Sequence, residues 1–468
     1  MKLKELLPVL AGMWLAATAA HAQTETLLHV FTNSPDGANP VGGLVLAGGA
    51  FYGATRNGGS AGDGAVFAMN ADGTGYRVLH NFTNDPDGAL PSSALVLAGD
   101  TLYGATAMGG TNNFGTVFAL NTNGDSAGYA VLYNFNVYSN GVLPSGRLTL
   151  AGDTLYGSAL GEGYGNPGWG TIFSINTNGS NFSALYNFST PHGSPLTNDD
   201  GEQPASGVVL SGGTLYGTAY GGGTNGYGTV YSVQTNGADF TVLHAFTNNP
   251  DGAYAQGGLT LAGTTLFGTT EIGGTNGNGI VYAINTDGTG YHVLHDFDTN
   301  GMDGLRPFVG MTFRGNTLYG TTRSGGSSGH GTVFAINTNG SGYTVLYAFA
   351  TNTPDGANPE SELLISGNTL YGTTEAGGSA GAGTVFALTL PLAITSFNLA
   401  GSNAVINAAD GLSGDTCTVL MSTNPATSLS QWLPVASSSL TNTGGFSITA
   451  TNAVNTGLGQ QFYILQEQ

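Results

Sequence analysis

The chain has 468 residues, 79 of them glycine and 17 proline, with a single cysteine and only 8% charged residues. Eight basic against 28 acidic side chains set the formal net charge at −20, which argues against nucleic acid or an anionic membrane surface as partner, since both demand a cationic footprint. One cysteine excludes a disulfide framework and a cysteine-based zinc site, and 40% apolar residues exclude a disordered chain.

Residues 1–22 read as a secretory signal peptide. Lys2 and Lys4 form a positive start, Leu6 to Ala20 is a short apolar run, and Ala20-His21-Ala22 is a small-x-small cleavage site. The run is too short to span a bilayer comfortably, and no later stretch reaches its length. Export through the Sec pathway to the cell envelope or the extracellular space is therefore expected. Both lysines of the chain fall in this segment, so the mature protein would have no lysine for Schiff-base chemistry. Cys417 would then be exported unpaired, and it reads as a small apolar filler.

Residues 23–390 are organised by repetition. Leu-Tyr-Gly and its variants place an aromatic residue at Tyr52, Tyr103, Tyr156, Tyr216, Phe267, Tyr319 and Tyr371, at intervals of 51, 53, 60, 51, 52 and 52 residues. Periods near 50 belong to propeller blades, and no helical periodicity competes with that reading. The sixth unit shows the pattern. Gly310 to Phe313, Thr317 to Thr322, Gly331 to Asn337 and Tyr343 to Phe349 read as four short strands, with Asn339-Gly340 as a tight hairpin turn. A fourth-strand signature, Leu-[His/Tyr]-x-Phe, recurs at His29, His80, Tyr133, Tyr186, His244, His295 and Tyr347. Its first copy, Leu28 to Phe31, precedes every other strand, while the last unit stops after Val385-Phe386-Ala387. The expected fold is all-β: a seven-bladed β-propeller of four-stranded blades, closed by the N-terminal strand, which removes the open edge.

The segment Leu318 to Phe334, Leu-Tyr-Gly-Thr-Thr-x-x-Gly-Gly-x-x-Gly-x-Gly-Thr-Val-Phe, resembles the tandem GloVer repeat of secreted bacterial proteins. Such proteins carry the array with one of several C-terminal anchoring or sorting segments, a choice-of-anchor arrangement. The resemblance implies an exported repeat protein and no established activity. At Leu390-Pro391 the repeats end. Alternating runs at Ala404 to Asn407, Thr416 to Met421, Phe446 to Thr449 and Gln461 to Leu465 suggest that residues 391–468 form a small β-sandwich. Ser422-Thr423-Asn424, Trp432 and Phe462 to Leu465 are similar to C-terminal modules of exported proteins from Verrucomicrobia, which implies attachment or spacing.

Function would sit on the loops that share one propeller face. The fourth-to-first loop carries Asp36, Asp87, Asn140, Asp200, Asp251, Asp303 and Asp355, either as a cation-binding ring or as turn residues capping local amides. Recurrence in every blade favours turn chemistry. In the second-to-third loop one position varies through Asp63, Phe114, Trp169, Tyr227, Asn278, His330 and Ala382. Phe114, Trp169 and Tyr227, with Tyr164 and Tyr220 nearby, could stack on sugar rings, or could merely cover their own loops. A second variable position holds Arg56, Ala107, Leu160, Tyr220, Glu271, Arg323 and Glu375. Arg56, Arg323 and Glu375 read as polar recognition or as a surface ion-pair network. The long third unit offers Glu162, His192, Asp199, Asp200 and Glu202 as acid/base candidates should the protein be an enzyme, or as solvated loop residues otherwise.

The reading is a non-catalytic binding or interaction protein for a neutral glycan or a cell-surface partner, monomeric, with no cofactor and no metal site. Acidic saccharides would suit the negative chain only if Arg56, Arg306 and Arg323 converge. A carbohydrate-active enzyme, hydrolase or lyase, and a purely structural surface protein are the alternatives.

Overall fold

The computed structural model describes residues 25–124, 128–136, 141–161, 169–193, 197–350, 355–390, 393–400, 403–411, 416–422, 433–439, 444–451 and 462–467. Two compact units are distinguished: Thr26–Leu364 with Tyr371–Ala387, and a second that contains Leu388–Gln468 together with Ile365–Leu370.

Repetition at about 52 residues produces seven antiparallel four-stranded blades, and the described residues contain no α-helix. In the sixth blade the strands are Thr312–Arg314, Thr317–Thr322, Thr332–Asn337 and Thr344–Ala348. In the seventh, Leu364–Ser366, Thr369–Thr374 and Thr384–Thr389 are followed in the sheet by Glu25–Val30, the first strand of the chain. The Phe31 amide donates to the Gly383 carbonyl at 3.0 Å, and the Asn39 amide to the Ala382 carbonyl at 2.8 Å. The ring is thus closed by pairing the two ends of the repeat array, the first strand of the chain serving as the outermost strand of the last blade. Phe31, Phe51, Phe67 and Val385 form the apolar core of this joint and are fully buried.

Packing explains the recurring Leu-Tyr-Gly. The leucine is fully buried in blades two to seven. The aromatic ring of the third strand lies across the glycine of the second. A Cβ on Gly53 would stand 2.5 Å from Phe67 Cζ, and one on Gly320 2.5 Å from Phe334 Cζ. No side chain fits there. In the fourth and fifth blades Tyr231 and Tyr282 replace that phenylalanine, and both hydroxyls are buried without a hydrogen-bond partner among the described residues.

The second unit contains two three-stranded antiparallel sheets. One orders Ala393–Ala400, Asn403–Gly411 and Gly444–Ala450; the other orders Leu433–Ser439, Thr416–Ser422 and Phe462–Glu467. Ile406, Val419, Ile448 and Ala450 are buried within this unit. Cys417 lies on the central strand of the second sheet, opposite Ser438 and Glu467.

Candidate functional site

Each blade enters the channel through the same short device. A residue with left-handed backbone comes first: Asn39, Leu90, Leu143, Gln203, Tyr254, Arg306 and Asn358, with φ between 53° and 60°. Its amide donates to a carbonyl of the preceding blade, as Leu143 does to Phe114 at 3.1 Å and Gln203 to Trp169 at 2.7 Å. Such a conformation is costly for a side-chain-bearing residue, and here an inter-blade bond holds it at every junction. Proline follows in six blades, its ring wedged against a glycine of the blade before; a Cβ on Gly383 would stand 2.5 Å from Pro40 Cδ.

The first strands and the segments that lead into them then pack almost backbone to backbone around the axis. A Cβ on Gly42 would meet the Ala94 amide nitrogen at 2.2 Å, and one on Gly146 the Gly207 nitrogen at 2.1 Å. Hydroxyls tie neighbouring strands together: Ser92 donates to the Pro144 carbonyl at 2.7 Å, and Ser145 to the Ala205 carbonyl at 3.0 Å. Small residues are therefore required at the axis. Where a long side chain does appear, it projects into the space that remains.

That space is a cavity of about 500 Å³ to which all seven blades contribute. Its charged lining comes from four of them: Arg56, Arg147, Arg323, and Glu360, Glu362 and Glu375 of the seventh. Gln203, Gln256, Tyr220, Leu160 and Phe308 complete the larger side chains. Arg323 is the hub. Its Nε pairs with Glu360 Oε1, a terminal nitrogen lies 3.6 Å from Glu375 Oε2, and its guanidinium sits 5.5 Å above the Phe308 ring. Arg147 approaches Glu362 at 3.7 Å, and the Glu362 carboxyl reaches across to the backbones of Gly258 and Gly310. Burial, reinforced by the neighbouring Glu375 carboxylate and opposed by Arg323 and Arg56, pushes the Glu360 carboxyl up to about 7. Burial also raises Glu362, with Arg147 opposing. Tyr220 stacks on Tyr254 at 4.8 Å and donates to Glu271 at 3.4 Å. Burial and that carboxylate push its phenol up to about 12.

Four of the residues flagged from sequence, Arg56, Tyr220, Arg323 and Glu375, line this cavity. Glu271 is held at its edge through Tyr220. Phe114, Trp169 and Tyr227 do not line it. All three are half-buried; Phe114 packs on the core between blades two and three, and Tyr227 on that between blades four and five. Tyr164 and Glu162 lie outside the described residues, as does Asn140. None of the remaining blade-three acid/base candidates lines the cavity either. His192 and Asp199 are exposed, while Asp200 is buried in its turn, accepting from Tyr186 at 2.8 Å and from the Ser189 amide at 2.8 Å. Glu202 is buried beside Gly221. Glu360, Glu362 and Arg147 carry as much of the site as the flagged residues do. Aligning the units on the recurring proline would have exposed them, because three positions later Arg147 and Glu362 interrupt a column of glycine and alanine, and one position later Glu360 is the single charge in an otherwise uncharged column.

The recurring aspartates have a different role. His29, His80, His244 and His295 place Nε2 at 3.2, 3.0, 2.8 and 2.9 Å from Asp36, Asp87, Asp251 and Asp303. Tyr186 and Tyr347 make the equivalent bond to Asp200 and Asp355 with their hydroxyls. Histidine and tyrosine interchange because either can donate from the ring tip. The next blade adds a stacked ring, at 3.9 Å for Tyr76 on His29 and 3.7 Å for Tyr291 on His244. On the fourth-strand tyrosines Tyr133 and Tyr186 the stacking partner is phenylalanine, Phe182 and Phe240 respectively. Burial lowers the pKa of His29 and His80, only partly countered by their aspartates, so these rings are neutral at pH 7. Among the described residues no cluster of three or more histidine, cysteine, aspartate or glutamate side chains is arranged to hold a metal ion.

The sequence matches the Gloeobacter/Verrucomicrobia repeat over residues 12–197, 128–317 and 298–411. The chain belongs to that repeat family. No curated protein sequence matches this repeat protein. Among solved structures it is similar to an oligogalacturonate lyase from Vibrio parahaemolyticus at 9% identity, covering 80% of this chain and 95% of that one with a TM-score of 0.48. It is also similar to the tricorn protease, at 12% identity over 80% of this chain and 34% of that one, TM-score 0.40. A nidogen/laminin complex gives 13% identity over 60% and 88%, TM-score 0.36. At such identities and scores the likeness assigns no activity to the repeat protein.

Proposed function

We propose that this chain is an exported, non-catalytic binding protein that takes a small polyhydroxylated ligand into the axial cavity. One observation carries the reading. One column of positions at which the blades stop repeating, Arg56, Ala107, Leu160, Tyr220, Arg323 and Glu375, lines the cavity, and the charges that line it complement one another across blades, Arg323 with Glu360 and Glu375, Arg147 with Glu362. Unconstrained surface variation would leave no such pairing. A volume of about 500 Å³ falls within the ~300–1,000 Å³ usual for small-ligand sites. Convergent amides, guanidiniums and carboxyls beside the Tyr220–Tyr254 stack suit hydroxyl groups and the apolar face of a sugar ring. The N-terminal segment supports export.

The test is binding to a broad oligosaccharide array by the full chain and by Ala107→Trp, which fills the cavity from the second blade. Retention by the wild type and loss in the variant, with an unchanged melting temperature, is the expected result. No retention by the wild type would overturn the reading.

A catalytic reading has one specific support. Glu360 titrates near neutral pH beside a second carboxylate, as a general acid/base does. Turnover of any bound saccharide that disappears in Glu360→Gln while binding persists would favour it.

A further inference from the structure

The chain carries eight basic residues, two of them at Lys2 and Lys4. Of the six arginines that remain, three stand in one cavity, on blades one, three and six of a molecule whose net charge is −20. Placing half of the arginines on a single concave surface works against the overall field and, with Glu360, Glu362 and Glu375 on the same surface, brings a chain of net charge −20 to formal balance there. The three are not equally engaged. Arg323 is held by Glu360 and Glu375. Arg147 has one long pair with Glu362, and its side chain is 54% exposed. Arg56 is exposed and meets no carboxylate within ion-pair distance among the described residues; it feels Glu360 only at longer range. Glu360 and Glu362 are both pushed toward their neutral forms, so they compensate the guanidiniums incompletely.

Resting on the cavity reading above, we propose that the ligand is an acidic saccharide, whose uronate carboxylate is taken by Arg56 while its hydroxyls meet Gln256 and the remaining cavity wall. A planar guanidinium offers two parallel N–H donors, which match a carboxylate in a fork, and one without an acidic partner in the protein loses none on binding. A neutral sugar would leave Arg56 uncompensated. Arg306 does not line the cavity, but convergence of Arg56, Arg147 and Arg323 answers the objection that the chain's negative charge would repel such a ligand, because repulsion among exposed charges is screened within about 8–10 Å at ordinary ionic strength.

The experiment uses the full chain on an array of short oligosaccharides matched in pairs, each uronate-containing member beside its neutral counterpart. The expected result is retention of uronate members at least tenfold above their neutral partners, with that preference lost in Arg56→Gln. Arg77→Gln removes an equal charge from outside the cavity, where Arg77 bonds the Thr122 and Asn123 carbonyls, and should keep the preference. Preferential retention of neutral members would overturn this inference and leave the cavity reading intact. Equal losses in the two variants would also overturn it, since the effect would then be one of net charge. No retention of any member would overturn both. Matching melting temperatures for the two variants show that each has folded.

Discussion

The outer joints between blades and the axial cavity are built from the same repeat by opposite rules. At the joints the residue set recurs: a ring-tip donor, an aspartate, and a stacked ring from the next blade, with substitutions that conserve the bond, as in His244–Asp251 and Tyr186–Asp200. On the axis, equivalent positions hold Arg56, Ala107, Leu160, Tyr220, Arg323 and Glu375, which share neither size nor charge. A joint has the same task in each blade and so selects one chemistry. A ligand without sevenfold symmetry needs different groups on different sides. In a closed repeat protein, departure from the repeat at a converging position is thus the sign of a site.

The comparison can be broken at several strengths. Phe31→Ala should be the most damaging, because it empties the joint that closes the ring; about 3–5 kcal/mol is expected, read as a fall in denaturation midpoint. His295→Phe removes the donor to Asp303 while keeping the stack on Tyr343, and should cost about 1–3 kcal/mol. Tyr231→Phe and Tyr282→Phe should instead each stabilise by about 1 kcal/mol, since their buried hydroxyls are without partners. Either change proving destabilising would mean that the hydroxyl has a role. Arg56→Gln should move stability by less than about 0.5 kcal/mol yet abolish ligand preference, which separates cavity from joint most cleanly.

Titration should separate the two regions by sign. His29 and His80 have folded pKa values below the ordinary 6.5, so the unfolded chain binds more protons and the joints lose stability as pH falls below about 6.5. Glu360 is raised from 4.5 to about 7, so the folded chain binds the extra proton and its contribution to stability declines as pH rises between those values. Stability measured against pH in Glu360→Gln should lack that decline, while His80→Phe should soften the loss on the acid side. An acidic ligand should bind more tightly as pH falls through 7, when protonation of Glu360 removes its repulsion.

Much of this architecture was readable from residues. The spacing of Leu-Tyr-Gly reports a strand pairing that each blade repeats, and the orphan copy Leu28 to Phe31 reports closure. Asp251 and its equivalents read as turn residues, but their bond to the histidine or tyrosine of the preceding strand did not, since nothing local links a strand position to a loop residue 7, 8 or, for Tyr186 and Asp200, 14 positions on. At the site, Arg56, Tyr220, Arg323 and Glu375 were visible as one varying column. Arg147, Glu360 and Glu362 were not, because their register rests on a lone proline, which the fifth unit replaces by Ala255, rather than on a recurring motif such as Leu-Tyr-Gly. The aromatic column of Phe114, Trp169 and Tyr227 stood out by composition, yet only packing shows that none of the three lines the cavity and that Phe114 and Tyr227 face inter-blade cores.

The order of the chain by itself determined the number of blades, their four strands and the partner of the first strand. These follow from period, alternation and turn residues, all of which act between neighbours in sequence. Which side chains share a cavity was decided only in three dimensions. Arg147 meets Glu362, and Arg323 meets Glu360, because seven first strands crowd one axis so closely that small residues line most of it. The few long side chains must then extend into the same remaining volume, and no spacing along the chain encodes which of them will touch.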